Sequence, residues 1–247
     1  MTESSAPLYI VHTESSLGWG GQEIRVLTEA EAFLKRGHRV EIWAAPGSNI
    51  LEDAIRRGVP SRALPIARRG VRALRAVRRA LAQTRPDVVN THSSTDTWLV
   101  AAARLLLHRP PPMVRTRHIS APVSQDFATR WLYAHATCHV VTTGERLREQ
   151  LVRDLRLRPG RVTSVPTGVD SMRFQPGGKA DARRVLGLNV DDRLVGIVAT
   201  LRSWKGHRFL VEAFARLAAE MSDLRLLIVG DGPMHASIVE QIMRLRL

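Results

Sequence analysis

The chain has 247 residues, 44% of them apolar, a single cysteine and a formal net charge of +14. That length and apolar content suit one large globular domain or two modest ones, and no apolar run reaches the ~18–20 residues needed to cross a bilayer. The polar start Met1-Thr-Glu-Ser-Ser has neither the basic residues nor the small-residue cleavage site of a signal peptide, and one cysteine cannot form an internal disulfide, so a reducing cytosol fits.

From the start, short apolar runs alternate with amphipathic ones. Residues 8–12 predict a strand, and Gly18-Trp-Gly20-Gly21 a glycine-rich turn. From residue 22 the apolar positions Ile24, Leu27, Ala30, Phe33 and Leu34 fall at helical spacing, and Gly37 stops that helix. A strand at 40–44, a short helix near 49–57 and a weaker strand at 61–64 follow. Residues 71–83 predict a helix with Val71, Leu74, Val77 and Leu81 on its apolar side and Arg72, Arg75, Arg78 and Arg79 mostly elsewhere.

This helix lies in a strongly basic stretch. Between Ala54 and Gln125 there are 14 Arg, no Lys and two acids, Asp87 and Asp96. A one-sided charge of this kind points to an anionic partner: a membrane surface, a nucleic acid or a phosphorylated substrate. Nucleic acid is disfavoured, because aromatic residues make up 5% of the chain with no stacking cluster.

The alternation continues with a strand at 87–90, a helix at 96–107, a strand at 113–116, a helix near 126–135, a strand at 139–142, a helix at 144–155 and a strand at 161–165. Cys138, beside the Val-rich strand, reads as a small buried apolar filler. Strands separated by helices predict a parallel sheet covered on both faces, and about seven strands complete a first domain over residues 1–175. The run Gln175-Pro-Gly-Gly-Lys179 is the linker candidate.

In the second domain, residues 176–247, the pattern restarts. A strand at 194–200 and a helix at 208–220 are followed by a strand at 224–229, the turn Gly230-Asp-Gly232-Pro233 and a helix at 234–244. Two strands are under half of a doubly wound domain, so the expectation is that this domain lacks its end.

Three stretches carry candidate chemistry. Gly20 and Gly21, between the first strand and helix, would let backbone approach a ligand at a helix N-terminus. They do not match G-x-G-x-x-G, and no acidic residue ends the second strand, so a dinucleotide site is disfavoured. His118 ends a strand and could bond a sugar hydroxyl. Arg202 and Lys205, on the loop leaving a strand of the second domain, form a phosphate clamp: Arg offers a planar fork of donors and Lys a mobile charge.

Taken in order, these motifs resemble the retaining glycosyltransferases of family 4. The matching stretches are Gly20-Gly21-Gln22-Glu23, Thr116-Arg-His118, Val141-Thr-Thr-Gly-Glu-Arg-Leu-Arg148, Val165-Pro-Thr-Gly-Val-Asp170, Arg202-Ser-Trp-Lys205-Gly206 and Leu227-Ile-Val-Gly230-Asp-Gly232-Pro233. The resemblance implies a GT-B fold of two Rossmann-like, doubly wound parallel-sheet α/β domains, the second incomplete here. The first would bind the acceptor and the second a nucleotide-sugar donor, with reaction in the crevice between them.

The resemblance further implies catalytic roles for His118, Arg202 and Lys205, and donor binding by Gly20, Gly21, Arg202, Lys205, Gly230 and Gly232. It implies no metal or other cofactor and no protein nucleophile. The family's usual Asn is Thr167 here. Its Glu-x7-Glu motif has no counterpart after Gly232, since Glu240 has no partner before Leu247. The acceptor implied is a lipid-linked or cell-envelope glycan such as lipopolysaccharide. Arg68, Arg69, Arg72, Arg75, Arg78 and Arg79 would then rest a peripheral cytoplasmic enzyme on anionic lipid at the inner face of the membrane. The alternatives are a non-catalytic remnant of such an enzyme and, third, a basic nucleic-acid-binding protein.

Overall fold

The computed structural model describes residues 6–119 and 121–247. The chain forms two compact units, one ending at Gly168 and the other beginning at Val169.

The first unit runs β1 (Tyr9–Glu14), α1 (Gly21–Lys35), β2 (Arg39–Ala44), α2 (Asn49–Arg56), β3 (Ser61–Ala63), α3 (Val71–Thr84), β4 (Val88–Thr91), α4 (Ser94–Leu105) and β5 (Met113–Arg117). It continues with α5 (Phe127–Trp131), β6 (His139–Thr142), α6 (Glu145–Leu155) and β7 (Val162–Ser164). The seven strands form one parallel sheet in the order β3-β2-β1-β4-β5-β6-β7. Alternation along the strands splits the core in two. Ile10 and Ile42 pack with Val26, Leu27 and Ala30 of α1 on one face. Tyr9, Val11 and Val89 pack with residues of α3, α4 and α6 on the other.

Three details differ from the sequence reading. The expected helix near 126–135 changes at Leu132 into a π-helical turn, Leu132–Ala136. There the Thr137 N–H and hydroxyl both donate to the Leu132 carbonyl, at 3.0 and 2.9 Å, a five-residue closure in place of four. Cys138 is exposed, not buried filler; it precedes the first residue of β6, at the amino edge of the sheet. Val71, expected on the apolar side of its helix, is the first residue of α3 and remains 62% exposed. The buried stripe is Ala73, Val77, Ala80 and Leu81.

The second unit contains α7 (Lys179–Val185), β8 (Arg193–Val198), α8 (His207–Ala218), β9 (Leu224–Val229) and α9 (His235–Arg244). Strands β8 and β9 pair in parallel. Leu201, Val211 and Ile238 are its buried centre, with Leu226, Ile228, Met234, Ile242 and Leu245 against them. The sequence reading missed α7, which begins directly after Gly177-Gly178 in what reads as a linker. Among the described residues, no helix is long and apolar enough to cross a membrane.

Candidate functional site

In the first unit, strand order reverses between β1 and β4. Open α/β sheets bind ligands at the carboxyl ends of strands beside such a switch point. The residues that meet there are polar and buried. Glu14, at the end of β1, accepts from the Ser16 N–H at 2.8 Å and from the side chains of Gln22 and Ser93. Asp96, at the first turn of α4, accepts from the Thr13 hydroxyl at 2.6 Å and from the N–H groups of His92 and Ser93 at 3.0 and 2.9 Å. Burial, with the Asp96 charge added, pushes Glu14 up to about 7. Burial also raises Asp96, against the lowering effect of Arg115.

His118 follows β5 and is half-buried. Its Nε2 lies 2.9 Å from Nδ1 of His92, whose Nε2 lies 2.9 Å from Nδ1 of His12. Burial pushes His118 down to about 3 and His12 to about 4, and lowers His92 well below the usual imidazole range, so all three rings are neutral at pH 7. Of the three, only His118 was singled out in the sequence.

Gly20 precedes the first residue of α1, where a Cβ would lie 3.6 Å from a Glu23 carboxylate oxygen, and a Cβ at Gly21 would meet nothing within 4 Å. Thr167 accepts from the Arg25 guanidinium at 3.2 Å, beside the Val165 carbonyl at 2.9 Å. Arg25, itself buried and paired with Glu29 at 2.6 Å, thus ties the loop after β7 to α1. Sequence reasoning missed Arg25, because 142 residues separate it from Thr167.

Arg68, Arg69, Arg72, Arg75, Arg78 and Arg79 are all exposed on or just before α3. Arg69 donates to the Ser94 hydroxyl at 3.2 Å and lies over the Trp98 ring, and Arg78 donates to the Leu106 carbonyl at 3.3 Å. Among the described residues the other four form no ion pair or side-chain hydrogen bond.

In the second unit, the chain leaves β8, bends through a 3-10 turn at Ser203–Lys205 and enters α8. Gly206, at φ +80°, makes that entry in a conformation that favours glycine. Arg202 is partly exposed and stacks over Trp204 at 5.4 Å, and Lys205 is exposed. Neither side chain has an acidic partner among the described residues, so both charges remain available.

Gly230 and Gly232 lie against the backbone of the same loop. A Cβ would fall 2.0 Å from the Ala199 carbonyl oxygen at Gly230, and 2.7 Å from the Leu201 carbonyl oxygen at Gly232. The Leu201 N–H donates to Asp231 and the Met234 N–H to Leu201, at 2.9 and 3.0 Å. These glycines therefore set the position of the loop that carries Arg202. Arg202, Arg208 and Arg244 also line a cavity of about 370 Å3 with His207, which is buried with both ring nitrogens unpartnered among the described residues.

Residues 19–173 match the family described as Glycosyltransferase Family 4, and residues 178–247 match Glycosyl transferases group 1. A D-inositol 3-phosphate glycosyltransferase of Nocardia farcinica is 30% identical over 87% of this chain and 54% of its own length. The chain spans about half the length of the curated relatives it matches. Among solved structures, Anabaena HepE in complex with UDP-glucose superposes with a TM-score of 0.79 at 17% identity, over 97% of this chain and 66% of that one. A glycosyltransferase from Rickettsia africae gives 0.77 at 17% identity, over 98% and 66%. At such identities these structures speak for the fold, which is GT-B.

Proposed function

The chain belongs to glycosyltransferase family 4, and from that premise we propose that the protein moves a sugar from a nucleotide-sugar donor to an acceptor, with retention of configuration. The observation that carries the reading is the loop after β8. Arg202 and Lys205 are two cations without an acidic partner among the described residues, three positions apart on a loop braced by the backbone of Gly230 and Gly232. Fixed cations of this kind hold a diphosphate and stabilise the negative charge that grows on it as the glycosidic bond breaks. Because the charge is already in place, the reaction needs no divalent metal in this reading.

His118 serves as the first unit's contact to the transferred sugar. A neutral imidazole suits that role, since it bonds a hydroxyl without attracting the leaving phosphate. Gly21 lets α1 approach the donor with its N-terminal N–H groups.

For the acceptor, the reading is a lipid-linked or cell-envelope glycan such as lipopolysaccharide, met at the inner face of the cytoplasmic membrane. What supports it is the exposed arginine face of α3, together with exposed Leu105 and Leu106 at the end of α4. A second acceptor reading, an inositol phosphate, is favoured by the similarity to the D-inositol 3-phosphate glycosyltransferase of Nocardia farcinica.

The test is transfer, with donor hydrolysis as a control, screened across several nucleotide sugars against both acceptor classes. Arg202→Ala and Lys205→Ala should each lower turnover by about 100- to 1000-fold, and a chelator should leave it unchanged. Full activity in either variant would remove the phosphate clamp.

A further inference from the structure

His12, His92 and His118 form an unbroken chain of rings at the carboxyl end of the sheet. Register explains how they meet. His12 pairs opposite Asn90, and Asn90 opposite Val114. His92 is two residues beyond Asn90 and His118 four beyond Val114, and even offsets favour one side of a sheet. The rings of His12 and His92 stack with centroids 5.2 Å apart, and those of His92 and His118 are tilted by 37° with centroids 5.1 Å apart.

We propose that His12 and His92 are positioning residues that fix His118 as the neutral tautomer protonated on Nδ1. It then presents one uncharged N–H donor to an oxygen of the bound sugar or acceptor. This rests on the reading of His118 as the ligand-facing histidine.

Two hydrogen bonds between three neutral imidazoles allow only two polarities. If the protons point inward, His118 donates from Nε2 to His92, His92 donates to His12, and the last proton sits on Nε2 of His12. That nitrogen is buried with no partner among the described residues, and a buried N–H left without an acceptor costs its full desolvation penalty. If the protons point outward, His12 Nδ1–H donates to His92 Nε2, and His92 Nδ1–H to His118 Nε2. The interior then keeps only an unused lone pair on His12. His118 carries its proton on Nδ1, which has no protein partner among the described residues. The outward arrangement therefore prevails.

Charging any ring would give a middle nitrogen two protons to face or strand a cation in the interior. Arg25 from α1 and Arg115 from β5 face the chain as cations and oppose it further; the carboxyl that meets it, Asp96 of α4 on the His92 N–H at 3.0 Å, is itself raised by burial. The consequence for recognition is a requirement for an acceptor oxygen at this point of the ligand.

The tautomer is read directly by long-range 1H–15N correlation spectra of the full chain, with His118 assigned by its loss in His118→Asn. The expected pattern is a protonated Nδ1 and a bare Nε2, unchanged between about pH 5 and pH 8. A proton on Nε2, or an imidazolium in that range, would overturn the proposal. The His92→Asn variant keeps a donor near the Nδ1 position and should preserve the pattern. The His92→Phe variant should lose it in favour of the Nε2–H form, and an unchanged pattern there also overturns the proposal. If His92→Phe does not fold, the wild-type and His92→Asn spectra decide alone. None of these spectra needs donor or acceptor. A failed tautomer pattern thus leaves the transferase reading intact, and a failed transfer assay leaves the tautomer assignment intact.

Discussion

Glu14 and its histidine neighbours respond to acid in opposite senses, and both responses come from burial. Glu14 is pushed from 4.5 to about 7, so the stability it supports is present below pH 4.5 and lost as pH rises through 7. His12 falls from 6.5 to about 4, so its contribution is present above pH 6.5 and lost as pH falls through 4. His92 and His118 act in the same sense as His12. Between pH 6.5 and 4.5 the histidines outnumber Glu14, and the protein loses stability on acidification. Glu14→Gln removes one of two offsetting groups, since burial raises Asp96 as well; its share is about 3 kcal/mol at about 1.4 kcal/mol per unit. Unfolding midpoints in denaturant across this range should therefore fall more steeply with acid in Glu14→Gln than in wild type; parallel curves would show that Glu14 is ionised throughout. His118, Arg202 and Lys205 were legible in the sequence, because each sits just after a strand that its own apolar run announces. Glu14, Arg25 and His92 were not. Their partners lie far along the chain, and only the pairing of β1 with β4, or of α1 with the loop after β7, brings them together.

Strands and helices were mostly legible, because hydrophobic periodicity is a local property. The exceptions have local causes too: α7 lacks an apolar stripe, and Val71 occupies a helix start, where one face is not yet covered. The loops after β8 and β9 behave as one element, since Gly230, at φ +153°, admits no side chain without displacing the Ala199 carbonyl. Gly230→Ala should cost about 2–4 kcal/mol from backbone strain and the clash together. It should also weaken nucleotide binding by moving Arg202. Calorimetric titration with the nucleoside diphosphate checks the second effect, and retained affinity in a folded variant would separate the two loops. For α3, Arg72, Arg75 and Arg79 changed together to Gln should lower affinity for anionic vesicles by about 100-fold at low salt, at about 1 kcal/mol per residue. Cosedimentation that is equal for both proteins, or insensitive to salt, would leave α3 as a solvated face.

The two units differ in how much apolar surface each removes from water. The first has two extensive clusters, one on each face of a seven-stranded sheet. The second has one small cluster centred on Leu201, Val211 and Ile238 over a two-stranded sheet, and its exposed side chains include Val185, Leu186 and Val198. Two strands give little independent stability. Amides of β8 and β9 should therefore exchange with solvent before those of β1 and β4 as denaturant is added; simultaneous exchange would mean that the chain unfolds as one cooperative unit.

The single thiol of the chain is exposed, and it stands just before β6, at the sheet end opposite the histidine chain. A maleimide dye would attach there at one per molecule, without mutagenesis and away from the carboxyl-end residues. The wild-type protein thus carries its own labelling handle, through which ligand capture and vesicle docking can be followed by fluorescence.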